Sequence, residues 1–293
     1  MSFTHIKREF YPFFNCPVWV NNPARKVNGG IIVEGTLLRN GAIIRQSDLM
    51  MISSDAGDVC PVRDWPVDAF RDIAARLNDK EFPCLFARHA WKSETLLFGL
   101  VSEDDTTADL VTVMQSLVTR THQLPEEERL YSPLLLIFQR HDLNSLEEAQ
   151  RFGWEQLQSL NDNDTQDWPS HIPHSPEDSA WSFCFGGTEF FFNISSPGHS
   201  QLRSRNLGKR VVFIVNPRAH FDILASQKDP KGIKIREKIR TRVCNYNNGY
   251  VPSELGFYGD TGSLEWKQYQ LGEPGALNPS QCPLRIHKEK KPQ

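Results

Sequence analysis

Ala180–His220 reads AWSFCFGGTEFFFNISSPGHSQLRSRNLGKRVVFIVNPRAH. It opens on an apolar run holding Trp181, Phe183, Phe185, Phe190, Phe191 and Phe192, broken by Gly186-Gly187. A Ser-Ser-Pro-Gly turn then presents His199, followed by Arg203, Arg205, Lys209 and Arg210. A second apolar strand, Val211 to Val215, runs into Asn216-Pro217-Arg218, and no Asp or Glu occurs between Glu189 and Asp222. Aromatic strands beside a loop of one charge sign predict a pocket with a flat apolar interior and a rim suited to anions.

Working outward, the flanking pattern is mixed. Val67, Phe70, Ile73, Ala74 and Leu77 recur at helical spacing, as do Leu110, Val113, Met114, Leu117 and Val118 behind an Asp104-Asp105 cap, and Leu146, Ala149, Phe152, Trp154 and Leu157. Phe82–Ala87 reads as a short buried strand, with Thr95–Val101 as partner, and Leu134–Phe138 as a fully apolar strand. The polar, proline-bearing segment 161–178 predicts a loop or lid. Lys231–Val243 predicts a basic helix before a turn-rich end. Residues 1–50 read as an N-terminal extension in which Gly29–Arg45, with its Asn-Gly step, forms a hairpin or a loose arm. With neither a repeat nor a clean linker, the expected architecture is α+β: a single mixed α/β domain over 51–293 around a central sheet with flanking helices.

Bulk properties exclude more than they assign. The 293 residues carry a net charge of −3 and 39% hydrophobic content, ordinary for a globular chain able to bury a large core. Six scattered cysteines without a CxxC pair fit a reducing compartment. Met1–Phe14 lacks a continuous apolar run and no stretch is long enough to span a bilayer, so a cytoplasmic protein with neither membrane nor nucleic-acid partner is expected. The sequons at Asn163 and Asn193 then carry no weight. Signatures of P-loop, dinucleotide-fold, zincin and serine-hydrolase chemistry are absent.

The residues themselves leave several roles open. His199 is either a solvent-facing loop histidine, a general base or an axial ligand. Cys184, and equally Cys84, is a buried structural thiol or a thiolate ligand. Glu189, in an otherwise apolar strand, reaches the surface or pairs with a cation, and a substrate guanidinium fits a carboxylate in a forked pair. Arg203, Arg205, Lys209, Arg210 and Arg218 form a solvated face or bind carboxylates or phosphates. Trp181, Trp266 and Tyr258 read as core or platform residues.

The strings WSFCFGGTEFFFNISSPGHSQLRSRNLG, VVFIVNPRAHFD and LGFYGDTGSLEWKQYQL together resemble the YqcI/YcgG family, from about Pro66 to Leu271 and most closely over 180–222. That resemblance implies a haem-dependent monooxygenase: a b-type haem (iron protoporphyrin IX), dioxygen, an external electron donor, and an amino-acid substrate hydroxylated on a basic side-chain nitrogen, as in arginine N-hydroxylases. On this reading Trp181, Phe183, Phe185, Phe190, Phe191 and Phe192 line the haem slot, and Arg203, Arg205 and Arg218 meet the propionates. His199 ligates the iron, with Cys184 as runner-up; Glu189, then Glu265, holds the substrate cation. A homodimer is among the expected assemblies. Two other functions stay open: a haem sensor or carrier without oxygenase activity, and a phosphate or nucleic-acid module using the 203–218 loop.

Overall fold

The computed structural model of the chain describes residues 26–27, 30–31, 38–55, 65–252, 254–256, 260 and 262–286. Met1–Leu37 and Leu38–Gln293 are separate units. The first contributes only a two-residue pair among the described residues, β1 (Lys26–Val27) antiparallel to β2 (Gly30–Ile31). The second contains everything else, including the end of the expected extension: β3 (Ile43–Arg45) and α1 (Gln46–Asp55). Part of the expected hairpin, residues 32–37, lies outside the described residues, as does Tyr258. The Asn40-Gly41 step is a turn, with Gly41 at φ +73°, but it feeds β3 into the main sheet.

Three helices and a strand follow: α2 (Trp65–Asn78), α3 (Leu85–Lys92), β4 (Leu97–Val101) and α4 (Thr106–Gln123). Next come α5 (Glu126–Arg129), β5 (Leu134–Phe138) and α6 (Leu146–Asp162). The decisive stretch forms β6 (Phe183–Phe185), β7 (Thr188–Ser195), a single 3-10 turn at Arg203–Arg205, and β8 (Val212–Pro217). The chain closes with α7 (Ala219–Leu224), α8 (Pro230–Tyr246) and α9 (Trp266–Tyr269). The basic helix forms as expected, capped by the Asp229 side chain on the Lys231 N–H.

Two local expectations are corrected. Phe82–Ala87 is not a strand, because Cys84 occupies the N-cap of α3, its Sγ accepting the Ala87 N–H at 3.4 Å. A short apolar run is ambiguous in period, and here Ala90 and Trp91 extend it onto a buried helix face. Asp105 does stand at the N-cap of α4 but makes no side-chain cap. Asp109 instead reaches back to accept the Ser102 N–H at 2.9 Å.

The six-stranded sheet runs β3-β4-β5-β8-β7-β6, with β4 and β5 parallel and every other pair antiparallel. The fold is α+β, and both faces of the sheet are covered. Period-two alternation sorts the strands: Phe138, Phe183, Phe185, Phe190, Phe192 and Phe213 join one core with α4, α6 and α9. Phe98, Leu100, Leu135, Ile137 and Val212 join the other, under α1, α2 and Trp91 of α3. A Cβ on Gly99 would lie 2.6 Å from Val113, so glycine there is what lets α4 approach β4. Segment 163–182 is tied down by Trp168, which stacks on Trp181 at 6.3 Å. Among the described residues no helix is long and apolar enough to cross a membrane.

Candidate functional site

The turn after β7 is knitted by its own backbone. Ser195 Oγ donates to the Arg205 carbonyl and accepts the Leu207 N–H, while Asn206 Nδ2 donates to the carbonyls of Pro197 and His199. Gly198 abuts the start of α6, where a Cβ would meet the Leu146 backbone at 2.8 Å. The turn thereby drives His199 inward, and its side chain is 0% exposed.

Its partner is Glu273, which no sequence pattern singled out. The Glu273 carboxylate lies 3.0 Å from His199 Nδ1 and accepts the N–H groups of Ser200, Gln201 and Leu202 at 2.8, 3.2 and 2.7 Å, with Ser200 Oγ at 3.1 Å. Burial alone would raise this carboxyl, but the bonds from Leu202, Ser200, His199 and Gln201 bring it down to about 2. Burial also lowers the pKa of His199, against the pull of Glu273. The network therefore assigns an ionised Glu273 and a neutral imidazole with its proton on Nδ1. Nε2 is left buried, with its lone pair free and no hydrogen-bond partner among the described residues. A histidine oriented through its other nitrogen by a carboxylate is the arrangement that presets a metal ligand.

The expected cations divide. Arg205 is buried and makes three hydrogen bonds: Nη1 donates to Asn193 Oδ1 and the Tyr269 carbonyl, Nη2 to the Gln268 carbonyl, and burial lowers its pKa to about 10. Arg203 is exposed, lies 4.8 Å over the Tyr246 ring and borders a cavity of about 300 Å³ with Asp79, Glu81 and Arg242. Arg210 donates to the Gln139 carbonyl and lies over Trp65. Arg218 is buried, with Nε 3.1 Å from Glu265 Oε2. A strip gripping a phosphate backbone needs exposed cations, and Arg205, Arg210 and Arg218 are all buried.

Glu265 lies in a second buried group. Ser182 Oγ and Tyr269 Oη donate to its Oε1 at 2.9 and 2.7 Å. Burial outweighs Arg218 and these hydroxyls and raises its pKa to about 7. Glu189 is nearby and more open, its side chain 27% exposed, with His171 Nε2 at 3.3 Å. Both carboxylates stand at the amino end of β7, where the Arg218 N–H donates to the Glu189 carbonyl. His199 follows the carboxyl end, about 20 Å along the strand at the usual rise per residue. The structure thus brings Glu189, Glu265 and Arg218 together and keeps them from His199.

Trp181, Phe183 and Phe185 are each at most 1% exposed. Phe183 meets Phe192 edge to face at 5.2 Å, and Trp181 stacks on Trp168. Phe191, on the alternate side of the strand, is half-buried and packs on Phe221 and on Tyr269. Burial, then Glu189, Glu265 and Asp164, push the Cys184 thiol far up, and burial raises Cys84 as well, so both stay protonated. Glu273 lay beyond sequence reasoning because its partners are 71 to 74 residues away. Ser182 and Tyr269 did sit inside the quoted strings, but nothing in their spacing tied them to Glu265.

A model of the YqcI/YcgG family matches residues 73–285. Over 224 residues the chain is 37% identical to DcsA of Streptomyces lavendulae, provisionally named an N(omega)-hydroxy-L-arginine synthase, covering 75% of this chain and 84% of that protein. It is 31% identical to YqcI of Bacillus subtilis (strain 168), covering 75% of this chain and 87% of that protein, and 30% identical to YcgG of the same organism, covering 75% and 88%. Both of those are named uncharacterized proteins. No solved structure matches. The chain belongs to the YqcI/YcgG family.

Proposed function

We propose that this member of the YqcI/YcgG family hydroxylates the side-chain nitrogen of arginine or a similarly basic amino acid, using a b-type haem, dioxygen and external electrons. The name and 37% identity of DcsA support the reaction class. The single geometric observation behind the cofactor is His199: fully buried, its Nδ1 held by a carboxylate, its Nε2 without a partner among the described residues.

The residues meet the needs of a haem at some points and not at others. His199 would hold the iron, because Glu273 fixes the tautomer that leaves the Nε2 lone pair free. Arg203 keeps its guanidinium at a cavity edge and could meet a propionate, whereas Arg205 is buried and already bonded through both Nη atoms. Trp181, Phe183 and Phe185 are used in packing one another and the core, so the expected slot of aromatic faces does not form from them.

When bound, such a group would supply the activation of dioxygen and the delivery of oxygen to nitrogen. The protein's contributions are its own. Glu273 keeps the proton on Nδ1 and makes Nε2 a better donor. The turn 196–207, closed by Ser195, Asn206 and Arg205, excludes water from that atom.

The test is an absorption spectrum of protein purified with haem supplied, followed by incubation with arginine, a reductant and dioxygen and mass analysis for hydroxyarginine. The wild type should show a Soret band and form product. His199→Ala should lose the band or shift it. Full occupancy with an unchanged spectrum in His199→Ala would overturn the ligand assignment, and a colourless wild type would overturn the cofactor.

A further inference from the structure

A cavity of about 480 Å³ opens at the carboxyl ends of the parallel strands β4 and β5, lined by Val101 and Phe138, their last residues, and by Phe152 of α6. Its size suits a small metabolite, and the carboxyl ends of parallel strands are where α/β sheets commonly place ligands. β7 points the same way as β4 and β5, being separated from β5 by the antiparallel β8. His199 therefore emerges at the same end of the sheet, beside the start of α6.

Gln156 lines this cavity, is only 9% exposed, and its amide has no hydrogen-bond partner among the described residues. Facing the cavity, that amide offers a ligand both a donor and an acceptor. Around it stand Glu103, Asp142 and Glu155 against one cation, Arg140. Arg140 displays the chemistry the site accepts. Its guanidinium lies 5.5 Å from the Phe152 ring centroid, and its Nε donates to Asp142 at 2.8 Å. Glu103 and Glu155 add to the field that keeps it charged. Thr106 and Thr107, the first residues of α4, also line the cavity, and with no side-chain cap from Asp105 the first-turn amides remain for a carboxylate.

We propose that this cavity binds a free basic amino acid, its guanidinium or amine directed to Glu103 and Glu155, its α-carboxylate to Arg140 and the first turn of α4, and Gln156 bonding the ligand inside. The lining selects a zwitterion with an added positive charge. Glu189 and Glu265 play no part in it. The assignment deepens the N-hydroxylase reading by giving its substrate a place at the His199 end of the sheet, and it can be tested without turnover.

The experiment is calorimetric titration of the full chain with L-arginine and with agmatine, which lacks the carboxylate. Because Glu103 and Glu155 are exposed, the double variant Glu103→Gln/Glu155→Gln should fold, and far-ultraviolet dichroism would verify that. Arginine binding should weaken by about fivefold or more in it, as loss of two charge-assisted contacts implies. Agmatine should bind the wild type less well than arginine, and Glu189→Gln should leave arginine binding unchanged. Unaltered affinity in the double variant, loss of binding in Glu189→Gln instead, or no saturable binding of either probe would overturn the site. Arginine binding that follows the double variant without any hydroxylated product would sink the reaction and keep the cavity. Product formed by the double variant with unchanged kcat/KM would do the reverse.

Discussion

Glu273 and Glu265 stand eight residues apart, both buried, and titrate in opposite directions: one falls to about 2, the other rises to about 7. Counting charges would predict the reverse, since Glu265 faces the arginine Arg218 and Glu273 faces only a neutral imidazole. The difference lies in the donors. Glu273 sits in the concavity of three successive backbone N–H groups, at Ser200, Gln201 and Leu202, which cannot rotate away or become acceptors. Glu265 is served by the hydroxyls of Ser182 and Tyr269, which can turn to suit a neutral acid. Arg218 is close to Glu265 Oε2 but out of line for a hydrogen bond to it. Fixed amides defeat desolvation; adjustable hydroxyls do not.

The largest expected effect is at the amide nest. Glu273→Ala would strand three backbone donors and the His199 imidazole in a dry interior, a loss on the order of 3–5 kcal/mol of folding stability. Urea unfolding measures it, with Glu265→Ala as reference. Equal losses would erase the distinction between the two carboxylates.

What the chain disclosed in advance follows the same division between local and distant. β5 and the helices α2, α4 and α6 were legible because burial imposes a local period on Leu134–Phe138 and on Val67–Leu77. His199 was legible as a candidate through its Pro-Gly turn. The phenylalanine run signals alternation, and the strand buries Phe190 and Phe192 fully while Phe191 stays half-buried against Phe221 and Tyr269. Glu273, Ser182, Tyr269 and Gln156 acquire their roles from partners brought by the sheet order, which no short window contains. Cys84 misled because a strand and a capped helix start share the same short apolar run.

The pH dependence separates the two sites next. For Glu273, the folded value of about 2 lies below the ordinary 4.5, so its contribution is complete above 4.5 and lost as pH falls through 2. For Glu265, the folded value of about 7 lies above 4.5, so its contribution is complete below 4.5 and lost as pH rises through 7. Each shift corresponds to roughly 3 kcal/mol at the conversion of about 1.4 kcal/mol per unit. Glu273→Gln should therefore flatten the acid limb of a stability-pH curve, and Glu265→Gln the limb between 4.5 and 7. Chemical denaturation at a series of pH values would decide it. Flattening of the same limb by both variants would mean that the two carboxyls share one environment.

The smallest effect probes how adjustable the Glu265 hydroxyls are. Ser182 Oγ is buried and donates to Oε1 at 2.9 Å, alongside Tyr269 Oη at 2.7 Å. Ser182→Ala removes one of these donors and leaves Oε1 its bond from Tyr269, so the stability loss should be about 1 kcal/mol, that of a single hydrogen bond. Because the lost bond favours the ionised form, the Glu265 pKa should move further up, which carbon-detected NMR of the labelled carboxyl would read. Tyr269→Phe should act in the same direction but more strongly, since Tyr269 Oη also accepts the Phe183 N–H at 3.2 Å and its removal unsettles the start of β6. A downward shift in Ser182→Ala would mean that the serine serves the protonated acid as acceptor, leaving Arg218 and Tyr269 as the groups that favour the ionised form.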